Sequence, residues 1–250
     1  MQTVENNIQT YIDENNQDEQ ANKWLEIFSL FIHDLESPLA SIKYLLKIIE
    51  DGDFDYNTEL HKTIVDSSQV AIKRAESILY DIMAIAKSGK VGIPVSMVTI
   101  VPDNVIKETI DMIQASAQER NVTVTFTNNS GNTPVTADPK LLKRALDNLL
   151  YNAIRHTPSG GNIAVYTDLG KDSLFIHIKD SGNGLGDLEP ELLFEKFGQL
   201  KLRADGKHRG VGLGLYFCRL AATAMGGTVF AADHEKGGAV FTIRLLKVAE

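Results

Sequence analysis

The sequence predicts a two-domain α+β protein: a helical hairpin completed as a dimeric four-helix bundle, then an α/β sandwich with a mixed, mainly antiparallel sheet and helices on one face. Three observations predict it. Apolar residues between Leu25 and Ile85 recur at helical spacing. A glycine- and proline-bearing stretch, SGKVGIP, then interrupts the pattern. Beyond it, helical segments alternate with short strand-like runs joined by tight turns.

The 250 residues suffice for one large domain or two ordinary ones, and the 43% hydrophobic content suits packed cores. A net charge of -8 argues against a general nucleic-acid binder, although a small anion can still be held by locally placed groups. The single cysteine, Cys218, cannot form an internal disulfide and is expected in a core, which suits a reducing cytosol. No apolar run reaches the roughly 18 residues that a membrane-spanning helix needs. The opening MQTVENNIQTYIDENNQDEQ lacks a basic start followed by an apolar run. The chain therefore reads as cytoplasmic, with any membrane-bound sensor segment outside this sequence.

Residues 1–23, rich in Gln and Asn, read as a signalling helix or a disordered lead-in. Residues 24–90 carry the hairpin. Leu25, Phe28, Ile32, Leu35, Leu39, Ile42, Leu46 and Ile49 are separated by alternating steps of three and four, a coiled-coil seam. The turn signal DGDFDYN follows, then a second helical pattern through Leu60, Ile64, Ala71, Ala75, Ile78, Ile82 and Ile85. One hairpin cannot bury its own apolar stripe, so two copies pairing as a homodimer is the expected completion. Residues 91–97 are the linker, and 98–250 the second domain. Within it the pattern predicts helices over 103–119 and 138–156 and another after Gly214. Strands are predicted over 122–127, 162–168, 173–179, 228–232 and 239–245.

On the first helix His33 flanks the seam beside Ile32, where an imidazole can meet an incoming substrate. Asp34 can bond one ring nitrogen, fix the tautomer and raise the nucleophilicity of the other. Pro38 favours a kink nearby. Alone, a helical His is more often a solvated or packing residue.

Four segments of the second domain each suit one part of an ATP–Mg²⁺ site. DNLLYNAIRHT sets Asn148 and Asn152 on one helical face at i and i+4, where amide oxygens are hard ligands for Mg²⁺. Arg155 and His156, one turn on, are within reach of phosphate or ribose. IKDSGNGLG follows a strand and places Asp180 to accept from an exocyclic adenine amine, with Gly182 and Gly184 letting the backbone pass close to the base. LFEKFGQL offers Phe194 and Phe197 as loop anchors, though aromatics at this spacing commonly belong to a core. RGVGLGLYFCRL opens a helix with Gly210, Gly212 and Gly214, Leu215 just inside it, so that free N–H groups and the helix dipole face phosphates. The basic stretch before it, with Arg203, Lys207, His208 and above all Arg209, reads as a lid over the γ-phosphate. No P-loop lysine is present.

The run FIHDLESPLASI resembles the H-box of sensor histidine kinases. The four later segments are similar to the N, G1, F and G2 boxes of their ATPase domain, a fold shared with gyrase, MutL and the ninety-kilodalton heat-shock chaperones. This resemblance spans roughly residues 20–247. It implies autophosphorylation of His33 by ATP, Asp34 as its base, and transfer onward to an Asp of a response-regulator receiver domain. It further implies Asn152 as Mg²⁺ ligand with Asn148 beside it, Asp180 reading adenine, and the turn from Gly210 to Gly214 meeting phosphates. Three positions depart from the pattern. Glu36 replaces a basic residue, Ser37 stands where Thr or Asn often supports regulator dephosphorylation, and EKGGAVFTIRL lacks the usual Thr after its second glycine.

Two rivals remain at this level: a gyrase- or chaperone-type ATPase, for which Asp147 is the carboxylate beside Asn148, and an ATP-shaped dimeric scaffold. His61 is the alternative phosphoacceptor, while His177 and His234 read as a strand and a turn residue.

Overall fold

A computed structural model describes residues 32, 35, 36, 38–88, 93–186, 188–195, 213–235 and 237–248. It divides into two compact units, with the boundary between Ile82 and Met83. His33, Asp34 and Ser37 lie outside the described residues, as do Phe197, Arg203, Lys207, His208, Arg209, Gly210 and Gly212.

In the first unit, residues 38–50 are helical (α1), and a second helix, α2 (Glu59–Ser88), starts in this unit and ends past Ile82. The turn between them has local causes. Thr58 caps α2, its Oγ1 accepting from His61 N at 3.3 Å. Asp55 Oδ1 accepts from Asn57 N at 2.9 Å, the local side-chain turn expected of Asp. His61 stacks on Phe54 with ring centroids 5.3 Å apart and takes Asp55 N on Nδ1 at 2.8 Å. Ser68 Oγ donates to Ser41 O at 3.3 Å, tying α2 to α1. Leu39, Leu46, Ile49, Leu60, Ile72 and Leu79 remain exposed.

The second unit is built on a five-stranded sheet ordered β2-β4-β5-β7-β6. Its strands are β2 Thr123–Asn128, β4 Asn162–Leu169, β5 Ser173–Asp180, β6 Thr228–Asp233 and β7 Ala239–Leu246. Its pairs are antiparallel except β2–β4, which runs parallel because the helix α4, Pro139–His156, crosses between them. A short antiparallel pair, β1 Val98–Ile100 with β3 Val135–Ala137, forms a separate sheet. At three residues each, these strands carry no periodicity the sequence could reveal.

Strand alternation decides the layers. Ile163 and Val165, Leu174, Ile176 and Ile178, and Phe241, Ile243 and Leu245 are buried. They pack with helices α3 (Pro102–Glu119), α4 and α6 (Leu213–Ala224). A fourth helix of this unit, α5, is the single turn Pro190–Leu193. Helix α4 is the core's central element: Leu142, Leu146, Leu149 and Leu150 are almost wholly buried, each such side chain stabilising by about 2 kcal/mol relative to exposure.

On the opposite face of the sheet His177 stacks on Tyr166 and on Phe175. Burial drives the His177 pKa below its ordinary value against the opposing pull of Asp168, and raises that of Tyr166.

Candidate nucleotide-binding site

Helix α4 organises the candidate residues, and its start is fixed by Asp138. That side chain caps the helix through Oδ1, accepting from Lys140 N at 2.9 Å and Leu141 N at 3.1 Å, with Pro139 in the first turn. Its other oxygen, Oδ2, accepts from Ser96 N at 2.7 Å, holding the segment that enters β1. The apolar stripe of α4 faces the core and turns the half-buried Asn148 and Asn152 to its flank.

Asn148 meets the start of α6. A Cβ built on Gly214 would lie 3.3 Å from Asn148 Oδ1, so glycine is what admits the amide. Nδ2 of Asn148 is buried without a hydrogen-bond partner. Such an orphan is costly unless something else occupies it, and it marks this flank as a place where a polar ligand fits. Next to Gly214, Leu215 is buried in the core, as is Cys218, whose Sγ donates to Ala145 O at 3.4 Å.

At its other end α4 meets the segment that follows β5. Asp180, the last residue of that strand, is buried, and its Oδ1 accepts from Gly182 N at 2.8 Å and Ala239 N at 3.2 Å. Both bonds fall on Oδ1, so Oδ2 is the atom left for a ligand donor. Gly182 presses on the C-terminal end of α4, where a Cβ would come within 2.6 Å of His156 O. The exposed Arg155 and His156 stand in that last turn. Helix α4 thus touches two of the glycine segments read from the sequence, Gly214 through Asn148 and Gly182 through His156.

Phe194 is buried edge-on to Phe241, 6.2 Å between centroids, which anchors the start of LFEKFGQL in the core. The sequence missed three contributors. Ala239 holds Asp180 from β7, Gly238 brings its backbone against Asp180 O, where a Cβ would lie only 1.9 Å away, and Asp233 takes the N–H of Leu185 at 2.5 Å. The glycine pair at 237–238 was visible as a turn, but nothing in a linear sequence connects it to residue 180.

Mg²⁺ fits the donor set. Among the described residues no group of three His, Cys, Asp or Glu side chains could hold a metal. The flank of α4 instead offers two neutral amide oxygens, which suits an ion that draws most of its ligands from phosphate and water.

Residues 137–249 match the family model described as histidine kinase-, DNA gyrase B- and HSP90-like ATPase. These residues are an ATPase domain of that family. The match covers α4, β4 to β7 and every described candidate residue of the second unit. Beyond the domain, the chain is similar to the hybrid signal transduction histidine kinase D of Dictyostelium discoideum, 29% identical over 88% of this chain and 14% of that protein. The chain spans between 14% and 58% of the length of the first three curated relatives it matches. Full-length ShkA in complex with AMPPNP shares the fold with a TM-score of 0.62 and 19% identity, over 90% of this chain and 46% of that one. Histidine kinase ThkA in complex with the response regulator TrrA aligns with a TM-score of 0.57 and 21% identity, over 96% and 66%. Together the family match and these likenesses support a sensor histidine kinase catalytic core.

Among the described residues no helix is long and apolar enough to cross a membrane.

Proposed function

We propose that this chain is an ATP-dependent protein histidine kinase that phosphorylates its own His33 and passes the phosphoryl group to an Asp of a response-regulator receiver domain. The observation that carries the reading is the arrangement around α4. A buried carboxylate with one oxygen left for a ligand lies beyond one end of the helix, and the buried, partnerless Nδ2 of Asn148 lies on its flank beside Gly214. Asp180 Oδ2 accepts from the exocyclic amine of adenine. Asn152 and Asn148 hold Mg²⁺, which when bound neutralises charge on the phosphates. Gly210, Gly212, Gly214 and Leu215 at the start of α6, with Arg209, serve the phosphates, and Arg155, His156, Gly184 and Phe197 complete the surround.

In the transfer a ring nitrogen of His33 attacks the γ-phosphorus, the N–P bond forming as the bond to the β-phosphate oxygen breaks and ADP leaves. Asp34 takes the proton from the other ring nitrogen. Residues 24–90 act as the dimerisation and phosphotransfer domain, 91–97 as linker, and 98–250 as the ATP-binding domain, with 1–23 leading in from an input segment. The exposed Leu39, Leu46, Ile49, Leu60, Ile72 and Leu79 support a homodimer that closes a four-helix bundle. The regulator partner is supported by the ThkA–TrrA complex, whose kinase shares this fold. Ser37 supplies a hydroxyl for regulator dephosphorylation, and the working compartment is the cytoplasm.

Incubation with γ-labelled ATP tests this. Wild type is expected to acquire label that acid removes and base leaves in place, and His33→Gln to acquire none. Equal labelling of the two would move the acceptor elsewhere. His61 is the first alternative, though it already holds Asp55 N at the hairpin turn.

A further inference from the structure

Between β5 and α5 the residues after Asp180 form a loop held at both ends by carboxylates. At the near end Asp180 Oδ1 takes Gly182 N at 2.8 Å. At the far end Asp233 Oδ1 takes Leu185 N at 2.5 Å. Asp233 is the last residue of β6 and pairs directly with Ala239 of β7, the residue whose N–H holds Asp180. One rung of the β6–β7 ladder therefore grips both the adenine-reading carboxylate and the far side of the loop beside it. Between the grips Gly184 has φ +76°, and a Cβ there would come within 2.4 Å of Asp233 Oδ1 and 3.4 Å of Gly238 O. The loop is thus seated directly on the Asp233 carboxylate, and only glycine permits it.

We propose that Asp233 is a positioning residue for the nucleotide base: by holding Leu185 N it fixes the loop over residues 181–186 against Asp180 and so sets the preference for adenine over guanine. The proposal rests on the assignment of Asp180 to adenine. A guanine presents a carbonyl where adenine presents its amine, so Asp180 Oδ2 rejects it only while the loop holds the base in one register. Asp233 itself is exposed and its neighbour Leu185 buried, so the clamp joins a surface acceptor to a fixed backbone donor. Its effect falls on the base end of the site, since Asn148 and Gly214 belong to other elements.

Calorimetric titration of the full chain with ADP, GDP and inorganic tripolyphosphate in magnesium buffer tests the idea. Asp233→Ala is expected to bind ADP about fivefold to tenfold more weakly, the loss of one hydrogen bond to the loop, with a narrowed ADP-over-GDP preference and unchanged tripolyphosphate affinity. Asp233→Asn keeps an oxygen acceptor and should restore both. Gly184→Ala, which drives a methyl into the same carboxylate, should reproduce the Ala defect and decides the matter if Asp233→Ala does not fold. Wild-type affinity and preference in Asp233→Ala would overturn the proposal. So would an equal loss for ADP and tripolyphosphate, or a failure of Asp233→Asn to recover. Wild type that binds no ADP at all would remove the nucleotide assignment itself, and this inference with it.

Discussion

Gly214 at the start of α6 rests against the side-chain amide of Asn148 on α4, with 3.3 Å between Asn148 Oδ1 and the position a Cβ would take. An alanine there would need the amide to give by a few tenths of an ångström, while an alanine within a helix is favoured over glycine by about 1 kcal/mol. The two effects separate. Gly214→Ala should keep or slightly raise the thermal midpoint while ADP affinity falls severalfold, and Gly214→Val should abolish binding without unfolding the domain. Parallel melting curves and ADP titrations would check this, and an Ala variant with wild-type affinity would show that the Asn148 amide has no part in the site.

Asp180 divides its two oxygens between structure and ligand, and its variants should divide in the same way. Asp180→Asn can keep an acceptor for Gly182 N and Ala239 N at Oδ1 but replaces Oδ2 with a donor facing the adenine amine. ADP binding should therefore fall at least about tenfold with little loss of stability. Asp180→Ala strips the acceptor from two backbone N–H groups as well, and should cost about 1–3 kcal/mol in urea unfolding.

The alternation of buried positions along β4, β5 and β7 was legible because each strand buries one face, which forces a period of two into the sequence. The helix predicted over 138–156 matches α4, whose start the structure shows capped by Asp138 ahead of Pro139. Asn148, Asn152, Asp180 and the glycines were legible as residue types suited to Mg²⁺, adenine and close backbone approach. What joins them was not. The contacts of Gly214 with Asn148, of Ala239 with Asp180 and of Asp233 with Leu185 span 66, 59 and 48 positions and obey no periodicity. β1 and β3 escaped notice because three residues cannot display alternation.

Asp138 joins two segments through one carboxylate, capping α4 with Oδ1 and holding Ser96 N with Oδ2. Replacement by Ala should cost about 1–2 kcal/mol from the cap alone. Asp138→Asn, which retains Oδ1 but turns a donor towards Ser96 N, should recover most of the cap and leave residues near 96 exchanging amide protons faster. Hydrogen exchange resolved at that segment, alongside urea midpoints, distinguishes the two oxygens' roles. Wild-type exchange at that segment in both variants would show that the Ser96 contact adds nothing.

On the outer face of the sheet His177 lies between the rings of Tyr166 and Phe175, with Nδ1 2.9 Å from Thr242 Oγ1 and Nε2 3.6 Å from Asp168 Oδ2. Burial lowers its pKa because the imidazolium loses solvation in this stack, and the attraction of Asp168 offsets only part of the loss. The unfolded chain, with an ordinary His near 6.5, then binds the proton more readily than the folded one. Stability from this group is complete above about pH 6.5 and falls as pH drops from there towards the depressed folded value. Wild type should accordingly lose more unfolding free energy between about pH 7.5 and 5.5 than His177→Gln, which carries no titrating ring at that position. Asp103, whose pKa burial raises, is present in both proteins and cancels in the comparison. Urea unfolding of both at the two pH values gives the difference directly. Equal pH dependence would mean that the stacked ring is solvated well enough to accept its proton in place, with Asp168 balancing the cost of burial.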